Sequence, residues 1–200
     1  MIKKEINGLL ISAGLSGRMG AFKPLMQFNG ETFVNCVTQK LLRICDHVIV
    51  VTGFQREKVE SVCRLQSTEK IVCVFNPNYE IGMFTSLKAG IEHLRNSNWV
   101  LYHFVDQPFF ADEFYDEMIL QISDNYDWVQ PVHNGNEGHP VIFNKKIIDI
   151  IAESSLDSNL RIIRDLPSIR KNYWICDYPE VLKDFDTPED LENYRSKKTN

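Results

Sequence analysis

The sequence predicts an α/β fold in three layers, α/β/α, with helices on both faces of a mostly parallel central sheet. Three observations carry that expectation. Short β-rich runs alternate with helix-patterned stretches along most of the 200 residues, which is the signature of strands joined by helical crossovers. Several runs are almost continuously apolar, as strands become when helices cover both faces. Three of them end directly in polar clusters, at the carboxyl ends where open α/β sheets bind ligands.

The first strand is Gly8-Leu9-Leu10-Ile11, closed by Ser12-Ala13-Gly14. A helix over 32–43 leads to a strand over 47–52, and a helix over 55–65 leads to a strand over 71–75, closed by Asn76-Pro77-Asn78. A helix over 85–95 then feeds the strand 99–105, closed by Asp106-Gln107-Pro108. Beyond a helix near 112–122 the pattern is less regular. Strand candidates 127–132 and 139–143 flank the polar loop 133–138, and helices over 145–153 and 159–166, a strand over 173–176 and a helix from Pro188 complete the chain. The length fits one domain over 1–200, with a change of character near residue 110. The second part is expected to cover the site.

Hydrophobic residues at 44% and charged residues at 24% are globular values. The net charge of −5 provides no positive field for nucleic acid or a membrane surface, so anionic ligands require local sites. The five cysteines, Cys36, Cys45, Cys63, Cys73 and Cys176, contain no CxxC pair and suit neither a disulfide framework nor a zinc site. The start of the chain reads as a strand rather than a signal peptide, and no apolar stretch reaches the roughly 18 residues of a membrane span, so a cytoplasmic protein is expected. Trp99, Trp128 and Trp174 sit in strand-like runs and are expected in the core.

Residues 12–24 read Ser-Ala-Gly-Leu-Ser-Gly-Arg-Met-Gly-Ala-Phe-Lys-Pro. Glycines at 14, 17 and 20 let the backbone turn and present N–H groups to an anion, and Arg18 and Lys23 add positive charge. The spacing GxxGxxG is neither the dinucleotide fingerprint nor the P-loop. Asp106, at the abrupt end of an apolar strand, has the chemistry to hold Mg²⁺ against phosphates; the alternative is a turn cap. In the segment 184–190, Thr187 or Asp186 is suited to cap the helix beginning at Pro188, and Asp184 and Asp190 read as surface or cap charges. Thr85 and Ser86, after Gly82, offer hydroxyls and free amides at a helix start, or ordinary capping.

The stretch from Ile11 to Lys23 resembles the opening LxAGxSxRMGxxK of nucleotidyltransferases with a glycosyltransferase-A-like, Rossmann-like fold. That resemblance implies that the backbone at Ser12, Ala13 and Gly14 lies against base and phosphates, that Arg18 and Lys23 contact the triphosphate, and that Asp106 and Asp186 hold Mg²⁺. Catalysis then falls to Arg18, Lys23 and Asp106. Together with the segment 82–90, Asp106-Gln107-Pro108 and Gly138-His139-Pro140, the set resembles the molybdenum cofactor cytidylyltransferases, in order from residue 9 to 191. The resemblance implies a nucleotide-binding half over about 1–110 using Gly82 and Ser86, and an acceptor half over about 111–200 with His139 facing the acceptor. A core-facing histidine is the other reading of His139.

Ser12-Ala13-Gly14 is nearer the cytidylyl type than the Gly-Gly of guanylyl relatives, so CTP is the expected donor, with GTP or another NTP as the alternative. The implied acceptor is molybdopterin, serving a molybdenum hydroxylase. Glu137 departs from the family pattern, since a carboxylate beside a phosphorylated acceptor repels it. A different phosphorylated acceptor is therefore an alternative, as is a non-catalytic chaperone for a molybdoenzyme.

Overall fold

β1 (Ile6–Ser12) is buried along its whole length, and its side chains divide between two apolar cores. Ile6 and Leu10 enter one core, and Leu9 and Ile11 enter the other. This is the period-2 division of a strand with helices on both sides. Asn7, polar and buried within it, is satisfied by Ser97 at 2.8 Å and by the amide of His47 at 3.1 Å. The computed structural model describes residues 4–66 and 68–198, without the side chains of Arg18 and residues 195–198.

After the glycine loop comes a small hairpin, β2 (Gln27–Phe28) and β3 (Glu31–Thr32). It turns through Asn29 and Gly30 at φ 53° and 88°, the left-handed pair that Asn-Gly tolerates best. The chain continues through α1 (Phe33–Ile44), β4 (Val48–Thr52), α2 (Arg56–Leu65), β5 (Ile71–Phe75), α3 (Met83–Glu92) and β6 (Trp99–Phe104). The remainder is α4 (Asp112–Ile119), β7 (Trp128–His133), β8 (Asn136–Glu137), β9 (Val141–Asn144), α5 (Lys145–Glu153), α6 (Leu160–Arg164), β10 (Lys171–Ile175) and α7 (Pro188–Lys198).

The main sheet runs β5-β4-β1-β6-β9-β7-β10, with β8 beside β7. β1 pairs in parallel with both β4 and β6, while β9 runs antiparallel to β6 and β7. The chain therefore leaves β1 on one side for β4 and β5, then returns to its other side at β6. The crevice between the carboxyl ends of β1 and β6 is the switch point at which such sheets hold ligands.

One core gathers Phe33, Leu41, Phe110 and Phe114 from α1, the β6–α4 connection and α4 with Val181, Phe185 and Leu191 from the C-terminal stretch. The opposite core gathers Leu87 and Ile91 of α3 with Ile147, Ile148 and Ile151 of α5. Trp99 and Trp128 are buried, and Trp174 packs half-buried against the first core. β5 is less buried than its neighbour β4. It is an edge strand, so Val72 and Phe75 are 41% and 39% exposed. Among the described residues no helix is long and apolar enough to cross a membrane.

Candidate active site

Beyond Ser12 the chain cannot continue as a strand, because the left-handed turn at Ser16 (φ 58°) redirects it. Two anchors hold the loop that follows. Met19 is 1% exposed and joins the core, and the Ser16 hydroxyl accepts a 3.0 Å hydrogen bond from the amide of Lys23, closing the loop at its base. A short 3₁₀ turn, Lys23–Leu25, starts at that point. Between the anchors the loop is open: a Cβ placed on Gly14 or Gly17 meets nothing within 4 Å.

Lys23 is the centre of the site. Its Nζ donates to Asp106 Oδ2 at 2.9 Å and to Asp186 Oδ1 at 2.7 Å. Burial alone would lower the affinity of this ammonium for its proton, but the two carboxylates outweigh burial and raise it. The three groups come from positions far apart in sequence, and two hydrogen bonds to backbone carbonyls bring them together. Phe185 N donates to Asp106 O at 3.0 Å, and Gln107 Nε2 donates to Lys183 O at 2.9 Å, so the segment before α7 is fastened along the end of β6.

The helix cap settles which residue does what in that segment. Thr187 caps α7: its amide and hydroxyl donate to Asp190 Oδ2 at 2.7 and 2.8 Å, and Asp190 N donates back to Thr187 Oγ1 at 3.3 Å. Asp186 is thereby spared the cap and turns its carboxylate to Lys23. Asp184 is at the surface, as expected from sequence. Although the residue is exposed overall, loss of hydration at its carboxyl, with the nearby charges of Asp106 and Asp186, pushes it up to about 6.

A cleft of about 240 Å³ opens beside this cluster. Ala13, Gly14, Ser16, Lys23, Ser86 and Asp106 line it, so the structure brings together five of the sequence-selected positions. Ser12 lies beneath them, 1% exposed, its hydroxyl without a hydrogen-bond partner among the described residues. Ser86 is fixed by Asn76, whose Nδ2 donates to the hydroxyls of Thr85 and Ser86, each at 2.9 Å. The Arg18 side chain lies outside the described residues.

Tyr79, Met83, Phe104 and Val105 also line the cleft and were not selected from the sequence. The signal for Tyr79 lies at Gly53, where a Cβ would meet Ala13 O at 2.6 Å and Tyr79 Cβ at 2.7 Å. β4, the loop and Tyr79 approach too closely there for any side chain.

Met83 and Phe104 are shared with a second, larger cavity of about 540 Å³, lined also by Gly82, Tyr102, His139 and Arg161. Gly82 thus faces this neighbour rather than the first cleft. The His139 ring packs 4.9 Å from Phe104, and its buried Nδ1 has no partner among the described residues. Burial and the charge of Arg164 push His139 down to about 4, so it is neutral at pH 7. Gly138 is held by a close approach, since a Cβ there would meet Val181 O at 2.5 Å. Glu137, which the sequence set beside the acceptor as a repelling charge, instead forms an ion pair with Arg164 and is absent from the lining of this cavity.

Asp106 and Asp186 are oxygen donors of the kind Mg²⁺ takes. Among the described residues no three His, Cys, Asp or Glu side chains form a metal cage, so a cation held here would complete its shell with water and substrate oxygens.

A glycine loop at a sheet switch point, facing a lysine and carboxylates across it, defines the class of α/β nucleotidyltransferases. A nucleotidyl transferase from Methanothermobacter thermautotroptrophicus has the same fold, with TM-score 0.78 at 19% identity over 98% of this chain and 99% of that one. The chain belongs to the MobA-like NTP transferase domain family, whose model matches residues 8–170. It is similar to the molybdenum cofactor cytidylyltransferase of Escherichia coli, 26% identical over 93% of each chain. It is also similar to a probable molybdenum cofactor guanylyltransferase of Bacillus cereus, 26% identical over 65% of this chain and 63% of that one.

Proposed function

We propose that this nucleotidyltransferase transfers CMP from CTP to a molybdopterin-type acceptor, with Mg²⁺ as cofactor and pyrophosphate as leaving group. The observation that carries the reading is the Lys23–Asp106–Asp186 cluster at the edge of the loop-lined cleft. An acceptor phosphate oxygen attacks the α-phosphorus of the nucleotide; a new P–O bond forms there as the bond to the β-phosphate oxygen breaks. The chain supplies position and charge rather than a covalent nucleophile. Ala13 and Gly14 form the floor under the nucleotide, the loop amides and Lys23 receive the phosphates, and Ser86 is held in place by Asn76. Asp106 and Asp186 would hold Mg²⁺, which when bound neutralises charge on the phosphate oxygens.

The acceptor is assigned to the aromatic-lined second cavity, where neutral His139 offers its unpartnered Nδ1. Glu137 is paired with Arg164, which Asp165 shares, and lies outside the lining of this cavity, which weakens its argument for a different acceptor. CTP is favoured over GTP by Ser12-Ala13-Gly14 and by the full-length match to the cytidylyltransferase. The product would pass to a molybdenum hydroxylase. Pyrophosphate release from CTP and from GTP, each with Mg²⁺ and with or without molybdopterin, tests this. Release from CTP only when molybdopterin is present is expected; release from GTP alone, or none with molybdopterin, overturns it.

A further inference from the structure

On the far side of β4 from the site, the groove between α2 and the edge strand β5 holds two cysteines. Cys63, on α2, is 4% exposed, and Cys73, in the middle of β5, is half-buried. Both are free thiols, both line the same surface cavity with Glu60, Arg64 and Glu69, and Cys73 packs against the core cluster to which Cys63 belongs. We propose that Cys63 and Cys73 form a redox-active dithiol that a hydroperoxide converts to an intramolecular disulfide between α2 and β5.

The chemistry follows from their unequal surroundings. The neighbouring Cys63 thiol lowers the proton affinity of Cys73 against burial and Glu60, which raise it, while Cys73 and burial raise that of Cys63. Cys36 and Cys176 are raised by burial. Cys73, the more accessible of the two thiols, is the nucleophile, since the thiolate is the reactive form and must be reached by the peroxide. Its sulfur attacks a peroxide oxygen, the O–O bond breaks, and one water (or alcohol) leaves as the sulfur becomes a sulfenic acid. The Cys63 sulfur then attacks that sulfenic sulfur and a second water leaves. Overall the two thiols give up two protons and two electrons, and the hydroperoxide is reduced. No other reductant or oxidant is required.

The test uses the full chain, treated with hydrogen peroxide, blocked with N-ethylmaleimide and mapped by mass spectrometry. The expected product has lost two hydrogens, carries a Cys63–Cys73 cross-linked peptide and regains both thiols with dithiothreitol. Cys63→Ser should leave Cys73 as a sulfenic acid that accumulates and over-oxidises, and Cys73→Ser should leave Cys63 unreacted on the same timescale. Circular dichroism of both variants confirms that each remains folded. A wild-type chain in which Cys73 passes directly to sulfinic acid, or in which Cys36, Cys45 or Cys176 is oxidised first, overturns the proposal.

Discussion

At the scale of single residues, the glycine loop separates what folding needs from what binding needs. Gly20 has φ +67° and so serves the chain's own turn, but Gly14 carries no such angle and its added Cβ meets no protein atom. Gly14→Ala is therefore expected to leave the melting temperature unchanged within error while weakening nucleotide binding by about tenfold or more, because the methyl group stands in the cleft floor. An equal loss of thermal stability in a denaturation scan would contradict this. Asp106→Asn keeps the side-chain shape and removes a charge that Lys23 and the proposed cation use. Turnover should fall on the order of 10²-fold or more in a pyrophosphate assay, with the fold intact by circular dichroism.

At the scale of elements, the contact of α3 with the sheet sets a tolerance that propensity alone would misjudge. Alanine in place of Gly90 gains about 1 kcal/mol of helix propensity. Its Cβ, however, would sit 2.3 Å from Leu9 Cδ1 and 2.9 Å from Val51 Cγ2, both on fully buried side chains. Overpacking of a closed core costs about 1–3 kcal/mol, so packing wins and Gly90→Ala should lower the urea midpoint. α3 carries Ser86 into the cleft, so the same variant should also raise the KM for nucleotide. The elements themselves were largely legible in the sequence: the alternation of strands and helices and the polar ends of β1 and β6 located the site's rim. The β2–β3 hairpin was missed because its two-residue strands are too short to show a period, although Asn29-Gly30 was a turn signal. Asp184 is exposed, as expected from sequence, but its shift depends on Asp106, some eighty positions earlier in the chain, and no local pattern encodes that approach.

At the scale of the whole molecule, buried polar groups set the response to acid. His103 is fully buried between Phe104 O and the Tyr115 hydroxyl, each at 2.8 Å, and burial pushes it down to about 3. His139 lies near 4. Both folded-state values are below the ordinary 6.5, so between about 6.5 and 4 the unfolded chain binds protons that the folded chain refuses, and stability drops as pH falls through that window. Asp127 extends the loss to lower pH. Arg170, at 2.8 Å, holds its carboxyl below the usual range, so its contribution persists above the ordinary carboxylate value and is lost as acid protonates it in the fold. Urea midpoints measured from pH 7 to 4 should fall by an amount equivalent to a few kcal/mol, on the order expected for two such histidines, and His103→Gln should flatten the slope. The sequence showed His103 only as one of several scattered histidines; its neutrality follows from a core assembled by distant segments.

On the proposed function, the ion cluster around Lys23 also bears on the form in which the donor arrives. Among the described side chains, the cluster of one ammonium and the carboxylates of Asp106 and Asp186 carries a negative balance. A naked triphosphate approaching it meets like charge, whereas a nucleotide that brings its own divalent counterion meets an opposite one. On that reading, the cluster would act as a filter on the ionic state of the substrate, favouring the charge-compensated nucleotide over the bare polyanion before any base is read.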